Sequence, residues 1–279
     1  MSLLLFKSAL FFVLLAAGGF IVYLVRQQKL VYKWSYRILL AGFICHTLFF
    51  AQQYYELGVA PVLNMKSALS FFSWGIIGAY LILQLKFRLM VLGSFVAPFA
   101  AFLMLLSSTI PGVDMVVKPM YRSMWLTIHI GTMFIGNGMF AVTFLTAIMY
   151  LLQEHQIKRK KLGSIHSRLP SLQTLDSINY YSLMYGFPLL TIGMITGSIY
   201  AQYALGSYWR WDPKETWSLI TWLFYAALIH ERVAVGWRGR RASIMSIICF
   251  ILLLFLFFGV SLWLSDYHSF SSLGGQTGI

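Results

Sequence analysis

The chain has 279 residues, of which 59% are hydrophobic and 10% charged, and its formal net charge is +13. Soluble domains run at about 45–50% apolar and about 25% charged, and disordered chains carry more charge still. A water-soluble globule and a disordered chain are therefore excluded, and the two cysteines, Cys45 and Cys249, each inside an apolar run, exclude a secreted disulfide scaffold.

What remains is an all-α polytopic membrane protein, a single domain over 1–279 in the lipid bilayer. A hydrocarbon core about 30 Å thick needs about 20 residues of helix. Eight apolar runs meet that need, near 4–25, 36–55, 67–85, 90–108, 123–152, 182–203, 215–236 and 242–265. None shows the short alternation of a membrane barrel. The first run lacks a small-residue cleavage site and is followed by Arg26, Lys29 and Lys33, so it reads as a span rather than a signal peptide. The fifth is long enough to project from the bilayer into Gln153–Lys161. Pro170 ends that extension, and 172–181 reads as a segment lying along the membrane surface.

Fifteen of the 21 Lys and Arg fall in alternate connections: Arg26 to Arg37, Lys86 and Arg88, Lys158 to Arg168, and Arg232 to Arg241. The positive-inside rule makes that side cytoplasmic. Both termini then face outward, with the loops near 56–66, 109–122 and 204–214. The net charge thus reports orientation, and no nucleic-acid partner is expected.

The densest chemistry lies in the outer segment Gly206-Ser207-Tyr208-Trp209-Arg210-Trp211-Asp212-Pro213-Lys214-Glu215-Thr216-Trp217. Asp212 suits an N-cap, Pro213 the first helical position and Glu215 the third. Two readings stay open. One is an interfacial aromatic belt followed by a helix cap. The other is a platform for a planar anion, with Trp209, Trp211 and Trp217 stacking and Arg210 or Lys214 pairing with carboxylates.

Four of the six histidines stand apart from His155 and His166, which belong to the basic inner segment. His46 in the second span and His230 late in the seventh lie about 14 Å and about 20 Å below the outer ends of their helices. Ionisable groups at membrane depth are functional-site hypotheses, although a bond to a neighbouring helix explains His46 equally. His129 near the outer start of the fifth span and His268 just beyond the eighth share the face of the Trp-rich loop. Two imidazoles at that level can hold a metalloporphyrin from both sides. A zinc site is disfavoured because ligand-type residues are not clustered and no CxxC spacing exists. No phosphate-cradling loop or nucleophile triad is visible.

The Trp-rich segment, about 204–217, resembles the WWD signature of the haem-handling proteins of cytochrome c biogenesis, CcsA (also called ResC) with the related CcmC and CcmF. Phe187 to Gly197 resembles the helix before that signature. Gly42 to Leu48 with Pro61 and Asn64 resembles the family's second helix and the loop after it, and Tyr267-His268-Ser269-Phe270 its C-terminal ending. Leu205 stands where the family often has Trp. The short length is most similar to the HemX branch or a compact CcsA.

The resemblance implies a bundle with an outer haem b site in which His129 and His268 ligate iron beneath the Trp loop, and an inner pair, His46 and His230, that receives haem. It implies a CcsB/ResB-like membrane partner and an apocytochrome c whose thiols take the haem, so the chain is not expected to be an enzyme on its own. It also implies a cell membrane location, most simply a bacterial plasma membrane. Two other readings stand beside it: a HemX-type regulator of tetrapyrrole synthesis acting on glutamyl-tRNA reductase levels, and a transporter of another amphipathic anion.

Overall fold

The computed structural model describes residues 2–87, 89–111, 117–160, 163 and 167–260. Eight long helices account for nearly all of them: α1 Ser2–Arg26, α2 Lys29–Leu57, α3 Met65–Phe87, α4 Gly93–Thr109, α5 Met124–Lys158, α6 Leu172–Leu205, α7 Pro213–His230 and α8 Arg240–Leu254. Wider π-helical turns continue α7 over Glu231–Val235 and α8 over Phe255–Val260, and a 3-10 turn, Pro119–Tyr121, precedes α5. No strand occurs among the described residues. Seven of the helices, counting the π-helical extensions, are long and apolar enough to cross a bilayer, and α4 is the shorter apolar one. The chain is a multi-pass membrane protein.

Contacts at the loops show that successive helices alternate in direction. Ser107 near the end of α4 donates to the Lys66 carbonyl at the start of α3, 2.8 Å away. The Gly239 amide before α8 donates to Asp176 near the start of α6, 2.9 Å away. The connections after α2, α4 and α6 therefore share one end, which the charge distribution assigns to the outside, and the basic connections share the other.

The α5–α6 pair is the spine of the bundle. Bare glycines let it close: a Cβ on Gly136 would stand 3.1 Å from the Gly186 carbonyl oxygen, and one on Gly186 would stand 2.9 Å from the Phe140 ring. Small residues of this kind are how membrane helices gain contact without a hydrophobic driving force. α3 lies against α5, α4 against α3 and α1, and α2 against α1 and α3. α8 packs on α5 and α7, and Phe140 stacks on Tyr225 with ring centroids 3.7 Å apart. Serine hydroxyls tie the short α4 to its neighbours, Ser94 donating to the Phe20 carbonyl and Ser73 to that of Ala100.

The inner end departs from expectation. Residues 172–181 do not lie along a surface; they form the first turns of α6, capped by Ser171, whose hydroxyl accepts from the Thr174 amide. The reason is a buried polar cluster. Arg232, in the π-turn after α7, donates to Asp176 Oδ1 at 3.1 Å and to Asn179 Oδ1 at 3.2 Å. Asn179 in turn donates to the Thr143 carbonyl of α5 and to Ser246 of α8. Four elements thus converge on one polar knot that an exposed 172–181 segment would leave unpaired. The expected helical extension of α5 is present through Lys158, its end carrying the Glu154–Lys158 and Glu154–Arg240 ion pairs.

Candidate functional site at the outer end

The outer loop between α6 and α7 is built by its own side chains. Gly206 ends α6 in the left-handed conformation (φ +75°), and its amide donates to the Gln202 carbonyl. Ser198 on α6 reaches forward to the Tyr208 carbonyl at 2.8 Å, and Ser207 to that of Trp209 at 2.9 Å. Asp212 caps α7 by accepting from the Glu215 amide at 2.7 Å, with Pro213 behind it, as the sequence suggests. Glu215 does not return to the cap residue; it reaches further back and accepts from the Arg210 amide at 2.6 Å. Between these two anchors Trp211 is forced to φ +58°, an outlier for a bulky residue worth about 1–3 kcal/mol of strain.

That strain presents Trp211 outward, 70% exposed, edge-on to Trp209 at 5.8 Å. Trp209 is half-buried, and its indole Nε1 is enclosed without a hydrogen-bond partner among the described residues. A buried donor left unpaired costs about 1–3 kcal/mol, so it points to an acceptor that a ligand brings. Trp217 lies half-buried on the first turns of α7 against Phe255. Arg210 is exposed and Lys214 half-buried.

His129 sits one and a half turns into α5, half-buried against α6. Its Nδ1 lies 2.6 Å from the Gly193 carbonyl oxygen. A carbonyl only accepts, so Nδ1 carries a proton, and Nε2 is the ring nitrogen that can carry the lone pair. This is the arrangement by which proteins orient a metal-binding imidazole. The ring needs a bare neighbour: a Cβ on Gly197 would stand 2.5 Å from Nδ1. The unpaired Trp209 donor, the glycine cradle and the oriented lone pair all suit an iron porphyrin.

One turn outward from His129, a cavity of about 430 Å³ opens between the segment entering α5 and the end of α6, with Arg122, Trp125, Tyr200 and Tyr203 in its wall. Beside it, burial pushes the Tyr121 hydroxyl above its ordinary pKa. Arg122 stands at the end of the loop near 109–122, and nothing in that loop's sequence reveals the cavity. The signal available was the spacing of Trp125 four residues before His129.

The other expected ligands lie elsewhere. His268 falls outside the described residues. His46 is fully buried, its Nε2 2.8 Å from the Ser70 hydroxyl and its ring among Phe6, Phe49 and Phe50, with no partner for Nδ1 among the described residues. His230 is exposed at the inner end of α7. No described contact joins the two. No group of three or more metal-ligand residues gathers among the described residues.

Residues 62–268 match the family model described as cytochrome C assembly protein. The chain is 31% identical to the cytochrome c biogenesis protein CcsA of Guillardia theta, over 89% of each chain. It is 30% identical to CcsA of Microcystis aeruginosa, over 81% of this chain and 84% of that one. Among solved structures, the cytochrome c haem lyase CcmF superposes with a TM-score of 0.64 at 16% identity, covering 92% of this chain and 46% of that one, a likeness of fold. Nothing in these matches favours a HemX-type regulator. The chain belongs to the cytochrome c assembly protein family, and it is a membrane protein of cytochrome c biogenesis.

Proposed function

We propose that the chain binds haem b at its outer end and presents it for attachment to apocytochrome c. His129 and His268 are the axial ligands, Trp209, Trp211 and Trp217 shape the pocket beneath the WWD loop, Asp212 holds that loop in place, and Arg210 or Lys214 meets a propionate. The observation that carries the reading is the His129–Gly193 bond, which fixes the ring's tautomer and seats it against glycine within the outer half of the bundle. Axial imidazoles set the potential of a bound iron.

Haem supplies the vinyl carbons. A cysteine thiol of the apocytochrome adds across each, the sulfur bonding to one carbon and the proton passing to the other, so no oxidant is needed. This chain's residues hold the porphyrin still and keep it accessible. The thiols come from the substrate, and a CcsB/ResB-like membrane partner brings that substrate close.

His46 and His230 are the inner pair in this proposal, taking haem from the cytoplasmic side of a bacterial plasma membrane. His46 would have to give up its Ser70 bond to serve. The test is the absorption spectrum of the full chain purified from haem-replete cells. A Soret band that disappears when His129 and His268 are both changed to Ala is the expected result. No band in the parent protein, or a band unchanged in the double variant, overturns the reading.

A further inference from the structure

We propose that Arg122 binds a propionate carboxylate of the porphyrin held at the outer site, in the aromatic cavity immediately outward of His129. This rests on the function proposed above and adds a residue to it.

Continuity places the cavity at that site. Trp125 in its wall is four residues before His129, and so lies on the same face of α5, one turn outward. Tyr200 is three residues beyond Gly197, the glycine beneath the His129 ring, and so lies on the same face of α6. The cavity is thus the outward extension of the α5–α6 cleft that holds His129. α5 rises about 7.5 Å from Met124 to His129, and Arg122 stands two non-helical residues before that start, a separation on the scale of a macrocycle radius with a propionate arm.

Chemistry supplies the rest. The wall combines three aromatic rings and two methionine side chains with Pro119, Ser123 and Ala204, and it holds one guanidinium and no carboxylate. Among the described residues, no acidic group pairs with Arg122. Its Nε stands 3.9 Å from where a Cβ on Gly58 would lie, so the turn after α2 limits how far the side chain can swing. A rigid fork of donors beside aromatic rings selects a ligand that is planar and carboxylated at one edge. Tyr203 and Met124 are largely exposed, so the cavity opens outward, where propionates keep part of their hydration.

The experiment compares haem b with its dimethyl ester, in which both carboxylates are blocked, by Soret titration of the full chain in lipid nanodiscs. The parent protein is expected to bind the free acid more tightly. Arg122→Ala should weaken free-acid binding about tenfold or more while leaving the ester unchanged, and Arg122→Lys should recover part of the loss. Equal weakening of both porphyrins in Arg122→Ala, or no weakening of either, overturns the role of Arg122 while the haem-binding reading survives. Absence of any Soret band in the parent protein overturns both. Arg122 is exposed, so the fold tolerates either change, which circular dichroism checks.

Discussion

His129 on α5 and Gly193 on α6 are joined by a 2.6 Å hydrogen bond that places an imidazole between two helices at one end of the bundle. The ring has no slack on that side, because Gly197, one turn further along α6, leaves room for it only by having no side chain. Gly197→Ala should therefore displace the ring. Its helix propensity improves, yet haem content and the Soret maximum should both change. Gly131→Ala on α5, where a Cβ meets nothing within 4 Å, is the matched control and should keep both. An unaltered spectrum in Gly197→Ala would show that the ring position is immaterial to binding.

Asp212 is one of the anchors of the Trp loop. Asp212→Ala removes the acceptor for the Glu215 amide and should cost about 1 kcal/mol. Asp212→Asn keeps an acceptor and should cost a few tenths at most. If Trp211 depends on this anchor for its left-handed backbone, its fluorescence should shift in Asp212→Ala and not in Asp212→Asn. Thermal denaturation followed by tryptophan emission reads both effects.

At the inner end, the Arg232 side chain is 3% exposed and that of Asp176 is 18% exposed. Removing one partner of a buried pair leaves a charge without compensation, at a cost of about 3–5 kcal/mol. Asp176→Ala should fall in that range. Arg232→Ala should fall there as well, since each variant leaves the surviving group part of its bonding: Asp176 keeps the Gly239 amide, and Arg232 keeps Asn179 Oδ1 and the residue-176 backbone carbonyl. The double variant Asp176→Leu/Arg232→Met should be more stable than Asp176→Ala alone. Melting temperatures in detergent decide the order, and equal loss in all three would show that the pair is not the determinant.

The two inner histidines should separate by burial. His46 is enclosed by Phe6, Phe49 and Phe50, so His46→Ala opens a cavity and should lower stability by about 2–4 kcal/mol. His230 is exposed, so His230→Ala should leave the melting temperature within about 1 °C while lowering the haem retained per chain. Haem retention unaffected by His230→Ala would remove it from the inner site.

Much of this was legible beforehand because hydropathy is a strong signal when whole helices are apolar. The eight helices and the Asp212-Pro213 helix start followed from composition and from cap chemistry. The start of α6 did not. Its first ten residues look polar enough for a surface segment, and only the pairing of Asp176 and Asn179 with a distant arginine shows why they are helical and enclosed. The cavity at Arg122 was hidden for a similar reason: its wall joins residues on either side of α5, with about 75 positions between Trp125 and Tyr200 in the chain.

The helices differ greatly in length, and that decides how the molecule rides in its membrane. At about 1.5 Å per residue, α5 with 35 residues and α6 with 34 reach about 50 Å, well past any hydrocarbon slab, whereas α4 with 17 reaches only about 25 Å. Long helices accommodate thick and thin bilayers alike by tilting or protruding, but a helix that falls short pulls the lipid inward around itself. α4 is fastened by serines to its neighbours and cannot shift alone, so its shortfall is met where it stands, by thinner lipid beside it or by flanking polar side chains reaching for the interface.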